Sequence, residues 1–116
     1  MAELVDVQGT VIGVGLLVAV ALLAVGTFIS ESIFGVDTLI LAFWVLAGTF
    51  AVISVLHAWV GQYNFAWAHG GAAFGWGLVL VGTTGFQVFL GVVLLVLSGA
   101  YIALLSRRVT RDGPSE

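Results

Sequence analysis

Two histidines are the residues of this sequence best suited to carry chemistry. His57 and His69 lie six residues either side of Tyr63, in a stretch that we interpret as a helical hairpin. On antiparallel helices this spacing puts both imidazoles at similar depth, about one to two turns from the end of the hairpin. Neutral histidine is the commonest metal ligand and an axial ligand of haem iron. His57 and His69 are therefore the candidate cofactor-binding residues.

The same positions also suit a structural role. A haem between two helices needs them farther apart than the usual packing distance of about 8–10 Å, and no acidic residue lies near His57 or His69 as a third ligand. Histidines near a membrane surface also hydrogen-bond to water, headgroups or backbone carbonyls. We expect this structural role and no cofactor or metal, with a haem- or quinone-associated subunit or a proton relay as the alternative.

Other catalytic groups are missing from the sequence. There is no cysteine, which excludes disulfides and thiolate chemistry. The glycine-rich stretch 70–77 follows no predicted strand, so it is not a phosphate-binding loop. We therefore expect the chain not to be an enzyme.

Composition defines the elements that must position these residues. Of 116 residues, 61% are apolar and 8% are charged, with mean hydropathy +1.22, whereas a soluble domain has about 25% charged residues. Every charged residue lies outside the long apolar runs, as the cost of a charge in hydrocarbon requires. The sequence predicts an all-α integral membrane protein. Its net charge of −3 makes nucleic-acid binding unfavourable, and the absence of lysine favours a salt-loving archaeon as the source.

A span of the hydrocarbon core needs about 20 residues. We predict a single transmembrane domain over 1–116 with four helices forming two antiparallel helical hairpins, followed by a short polar C-terminal tail at 106–116. Asp37 and Thr38 are the expected N-cap pair of the second helix, and Gly82–Gly85 is the expected turn before the fourth. Three spans, with one long third element, are the alternative. The predicted spans are about 10–29, 39–60, 65–82 and 86–105.

Orientation follows from the basic residues. All three arginines come after the last apolar run, and basic residues favour the cytoplasmic side. We predict a multi-pass protein of the cell membrane with both termini cytoplasmic. Trp59, Tyr63 and Trp67 would form an interfacial belt at the inner hairpin.

The two halves resemble each other weakly. Segment 25–28 (VGTF) is similar to 81–84 (VGTT), and 45–50 (VLAGTF) is similar to 96–101 (VLSGAY), at offsets of 56 and 51 residues. A parallel internal repeat would explain both matches. Chance similarity among sequences rich in leucine, valine, alanine and glycine is the alternative.

Sixteen glycines suit close helix packing. The predicted helix-packing positions are Gly9, Gly13, Gly71, Gly75 and Gly82. We expect a non-enzymatic accessory subunit of a membrane complex, or a small homo-oligomer, whose partners are the lipid bilayer and other membrane subunits or copies of itself. A passive channel or small transporter, with a pore lined by Thr27, Thr49, Thr83, Thr84 and Gln87, is the alternative.

Overall fold

The structure is a computed structural model that describes residues 2–112. Most of these residues lie in four helices. The predicted all-helical chain with four helices is confirmed. The turn between the last two helices excludes one long third element. The helices are α1 (Ala2–Phe28), α2 (Thr38–Trp59), α3 (Tyr63–Val81) and α4 (Gly85–Arg111).

The connection between α1 and α2 contains structure that the sequence pattern did not predict. Two-residue strands, β1 (Ser32–Ile33) and β2 (Val36–Asp37), pair antiparallel. Phe34 and Gly35 form the turn between them with φ of 53° and 79°. Glycine adopts this left-handed backbone without strain, so Gly35 is suited to its position.

Side chains begin two of the helices. Asp37 accepts a hydrogen bond from the Leu39 amide at 2.8 Å, as the N-cap prediction requires. Thr84 begins α4 with a capping box, in which its hydroxyl accepts from the Gln87 amide and the Gln87 side chain accepts from the Thr84 amide. The turn predicted at 82–85 is present, and its glycines do not use the positive φ that glycine permits, since Gly82 has φ −62°.

The outer helices extend beyond the predicted spans. α1 begins at Ala2, and α4 continues six residues past Leu105 to Arg111. The first part of the predicted polar tail is therefore helical, and segment 113–116 of that tail lies outside the described residues.

Each helix packs mainly against the next one along the chain. Contacting residues run in opposite sequence order, so that Gly15 and Gly26 of α1 meet Thr49 and Thr38 of α2. Between α2 and α3, Phe43 stacks on Trp76 with ring centroids 5.0 Å apart, and Ser54 bonds the carbonyl of Ala66. Between α3 and α4, Gly71 meets Ser98 and Gly75 meets Gly91.

Small residues fill the interior, and large apolar ones face outward. Within the described residues no large side chain is fully buried, and the buried apolar residues are alanines together with Ile53 and Leu105. By length and composition, Asp6–Phe28 of α1, α2 and α4 could each cross a membrane. α3 is less apolar than these because it contains Asn64, His69 and four glycines.

Candidate functional site

All four helices contribute to one polar cleft, which surrounds the two histidines. Its volume is about 380 Å³. We name it the histidine cleft, and it is lined by Gln8, His57, Gln62, Phe65, His69, Ile102, Ser106 and Val109.

His57 is held between two glutamines. Its Nδ1 lies 2.7 Å from Oε1 of Gln62, and its Nε2 lies 2.8 Å from Nε2 of Gln8. An amide oxygen only accepts, so Nδ1 of His57 donates to Gln62; Nε2 is then an acceptor for the Gln8 amide. Both nitrogens are satisfied in the neutral imidazole, which suits a ring only 6% exposed.

His69 is satisfied on one side only. Its Nδ1 lies 2.8 Å from the carbonyl oxygen of Phe65, one helical turn earlier, and must donate to it. In the neutral imidazole its Nε2 therefore carries a lone pair. Within the part of the chain that the structure describes, that nitrogen has no hydrogen-bond partner. It is not fully buried, since no buried side-chain nitrogen or oxygen there lacks a partner. It is the available acceptor of the histidine cleft.

The structure brings the two predicted histidines together. Their rings stack with centroids 5.0 Å apart at 24°, and Phe65 stacks on His57 at 5.2 Å and 21°. Two imidazoles stacked face to face leave no space for a porphyrin between them, so the arrangement does not fit a haem held by both. Among the described residues, no three His, Cys, Asp or Glu side chains are grouped as a metal site.

Sequence reasoning missed the glutamines of this cleft. Gln62 could have been found, because it follows His57 by five residues in the predicted hairpin turn. Gln8 is 49 residues from His57, and no local signal connects them. Ser54, three residues before His57, donates its hydroxyl to the carbonyl of Ala66, three residues before His69, at 2.6 Å.

The predicted packing glycines fall into two groups. A Cβ at Gly71 would lie 2.6 Å from the Ser98 hydroxyl, and one at Gly75 would lie 2.9 Å from the Gly91 carbonyl oxygen. Gly82 is crowded by Leu78, Val88 and Gln87 at the α3–α4 turn. A Cβ at Gly9 or Gly13 would meet no atom within 4 Å, so that pair takes no part in a helix contact within the described chain.

The predicted belt aromatics are all exposed, with Trp59 at 86%, Tyr63 at 63% and Trp67 at 79%. The proposed pore-lining residues hydrogen-bond within their own helices or turn. Thr27 and Thr49 donate to carbonyls four residues earlier in their own helices, and the Gln87 side chain accepts from the backbone amides of Thr83 and Thr84.

Three features can therefore support a functional proposal. They are the histidine cleft, the surface of exposed large apolar side chains, and the arginines at the end of α4. In comparisons with known proteins, the chain matches no family model, no curated protein and no solved structure.

Proposed function

We propose that the chain is a multi-pass protein of the cell membrane, with four spans in two antiparallel helical hairpins and both termini in the cytoplasm. The observation that carries this proposal is the outward direction of its large apolar side chains. Leu17 and Phe28 of α1 are 70% and 83% exposed and Val55 of α2 is 63% exposed, at different heights along the two helices. Water would make such a surface costly, whereas lipid solvates it.

α3 is included as the fourth span despite its lower hydropathy. Its 19 residues extend about 28 Å at 1.5 Å per residue, close to the hydrocarbon thickness of about 30 Å. α3 packs on both α2 and α4, and its least apolar residue in mid-helix, His69, is buried against α2. A helix covered on two sides needs fewer apolar residues than one surrounded by lipid.

An internal repeat of the two hairpins draws support from the glycine contacts. Gly15 and Gly71 are 56 residues apart, the same offset as the matching segments 25–28 and 81–84. In each half this glycine of the first helix meets a hydroxyl side chain of the second, Thr49 or Ser98. Duplication of one hairpin would explain the equivalent glycines, whereas Thr49 and Ser98 are 49 residues apart, two fewer than the offset of 51 between segments 45–50 and 96–101.

The proposed activity is association rather than catalysis, as an accessory subunit of a membrane complex or as a homo-oligomer. An apolar groove of about 440 Å³ lies between α1 and α2, lined by Val14, Val18, Gly48 and neighbouring residues. A Cβ at Gly48 would meet nothing within 4 Å, so this glycine leaves room for a helix from outside the chain. Small residues in such a groove let two backbones approach in lipid.

Purification in mild detergent, followed by native mass spectrometry, tests this proposal. We expect one defined assembly, either a homo-oligomer or a complex with another membrane protein. Gly48→Leu should fill the groove and dissociate the assembly, whereas the matched variant Gly99→Leu, at an equally open glycine of α4, should leave it intact. A monomer under all conditions, or equal effects of both variants, would argue against association through this groove.

A second candidate function rests on Nε2 of His69. A neutral, lipid-soluble ring with a hydroxyl group, such as a quinol headgroup, could donate to this acceptor while the amide of Gln62 bonds another oxygen. Titration of the purified chain with a short-chain quinol, followed by calorimetry, is the test. Binding lost in His69→Leu but kept in His57→Leu would support the assignment; binding that is absent in the wild type would remove it.

A further inference from the structure

The cytoplasmic end of α4 is the most strongly charged surface of the described chain. Arg107, Arg108 and Arg111 are all exposed, and together with Leu104, Ser106 and Thr110 they line a groove of about 660 Å³. We name it the arginine groove. From it we propose that this chain binds the phosphate of an anionic phospholipid in the cytoplasmic leaflet. The inference rests on the membrane insertion and orientation proposed above.

The order of residues along α4 matches the layers of a phospholipid. Leu104 is 55% exposed and apolar, Ser106 offers a hydroxyl, and the arginines follow within about one and a half turns. From Leu104 to Arg111 the helix rises about 10 Å, whereas each headgroup layer is about 5–8 Å thick. A helix that leaves hydrocarbon near Leu105 therefore carries its arginines at phosphate level.

Charge balance favours an anion at this end. Three arginines are opposed by Asp112 of the same segment and by Asp6 of α1, two residues before Gln8 of the neighbouring histidine cleft, and by the partial negative charge of about −0.5 at a helix C-terminus. The local sum stays positive. Arginine presents a planar fork of donors that matches phosphate oxygens, whereas an ammonium group is a single point charge. The groove is therefore well suited to phosphate.

The arginine groove is joined to the histidine cleft through Ser106, which lines both. The Thr110 hydroxyl donates to the carbonyl of Ser106 at 2.9 Å. A headgroup seated on the arginines would therefore lie beside the polar residues of the cleft, where its own hydroxyl groups could be hydrogen-bonded.

The test uses the full chain in phosphatidylcholine vesicles with trace spin-labelled lipids. Electron paramagnetic resonance gives the relative association of phosphatidylglycerol and phosphatidylcholine with the protein. We expect a preference of about threefold or more for phosphatidylglycerol at low salt, reduced near 1 M salt, where the Debye length is about 3 Å. The variant R107Q/R108Q/R111Q should reduce the ratio to about one, and the control E31Q, at the opposite end of the molecule, should not.

The outcomes separate this inference from the membrane proposal. A chain that does not float with vesicles contradicts membrane insertion. The lipid site is overturned if the chain floats but shows no preference for phosphatidylglycerol. It is also overturned if the triple variant keeps the wild-type preference. If the triple variant does not insert into vesicles, the salt dependence of the wild type decides. A preference for phosphatidylglycerol that salt does not reduce overturns the lipid site. Displacement of the labelled lipid by inorganic phosphate beyond that by chloride at equal ionic strength would assign the groove to free phosphate instead.

Discussion

The imidazole of His57 joins three parts of the molecule. It bonds Gln8 of α1 and Gln62 of the α2–α3 turn, and it stacks on the rings of Phe65 and His69. Each partner on its own is a weak interaction, but together they fix the tautomer of a nearly buried ring. The N-terminal end of α1 is therefore held to the second helix by a specific polar contact.

Removing the Gln8 amide should measure this contact. In Gln8→Ala, Nε2 of His57 loses its donor although the residue is only 6% exposed. We expect a loss of about 0.5–1.5 kcal/mol in unfolding free energy, since side-chain hydrogen bonds in membrane proteins are worth about that. Titration with sodium dodecyl sulfate, followed by circular dichroism, provides the measurement.

Thr10→Ala is the matched control on the same helix. Its hydroxyl is exposed and donates only to the carbonyl of Asp6, so the change should stay within about 0.5 kcal/mol. Equal losses in both variants would mean that the Gln8–His57 bond contributes nothing specific.

Glycine positions give a second prediction at this scale. A Cβ at Gly75 would meet the Gly91 carbonyl oxygen at 2.9 Å and Leu95 at 3.1 Å, and backbone cannot rotate away. Gly75→Ala should therefore push α3 from α4 and cost about 1–3 kcal/mol. Gly13→Ala, in open space, should be neutral or slightly stabilising because alanine favours helix. The same detergent titration compares them, and equal stabilities would contradict the packing described for α3 and α4.

At the scale of elements, the helix starts follow from local chemistry. Asp37 was predicted as an N-cap from its position before an apolar run, and the turn at 82–85 from its glycines and threonines. The turn exists, but hydrogen bonds from Thr84 and Gln87 hold it rather than positive φ at glycine. The short strand pair at 32–37 could not be predicted, because two residues in each strand are too few to show an alternation of polar and apolar side chains.

The capping box at the start of α4 should be measurable. Thr84→Ala removes the hydroxyl that accepts from the Gln87 amide and should cost about 1 kcal/mol of unfolding free energy. Thr27→Ala is the control, since that hydroxyl donates only within its own helix and its loss should cost less than about 0.5 kcal/mol. A Thr84→Ala variant as stable as Thr27→Ala would show that the turn is held by other contacts.

For the whole molecule, composition alone predicts the class of fold but not which helix faces touch. From 11 to 25 every residue of α1 is apolar or glycine, so no amphipathic stripe marks the face that meets α2. The glycines mark it only in part: Gly15 and Gly26 contact α2, whereas Gly9 and Gly13 contact nothing within the described chain. The hydrogen bond between Gln8 and His57 depends on how α1 is rotated about its own axis, and this uniform pattern does not indicate that rotation.

The central claim, four spans with both ends in the cytoplasm, is tested by single cysteines. The chain has none of its own, so Ser32→Cys, Asn64→Cys, Thr83→Cys and Thr110→Cys, all at exposed positions, each provide one label site. With a membrane-impermeant maleimide on intact cells, we predict labelling at 32 and 83, and at 64 and 110 only after permeabilisation. Labelling of 64 and 83 from the same side would contradict the account, because α3 would then not cross the membrane.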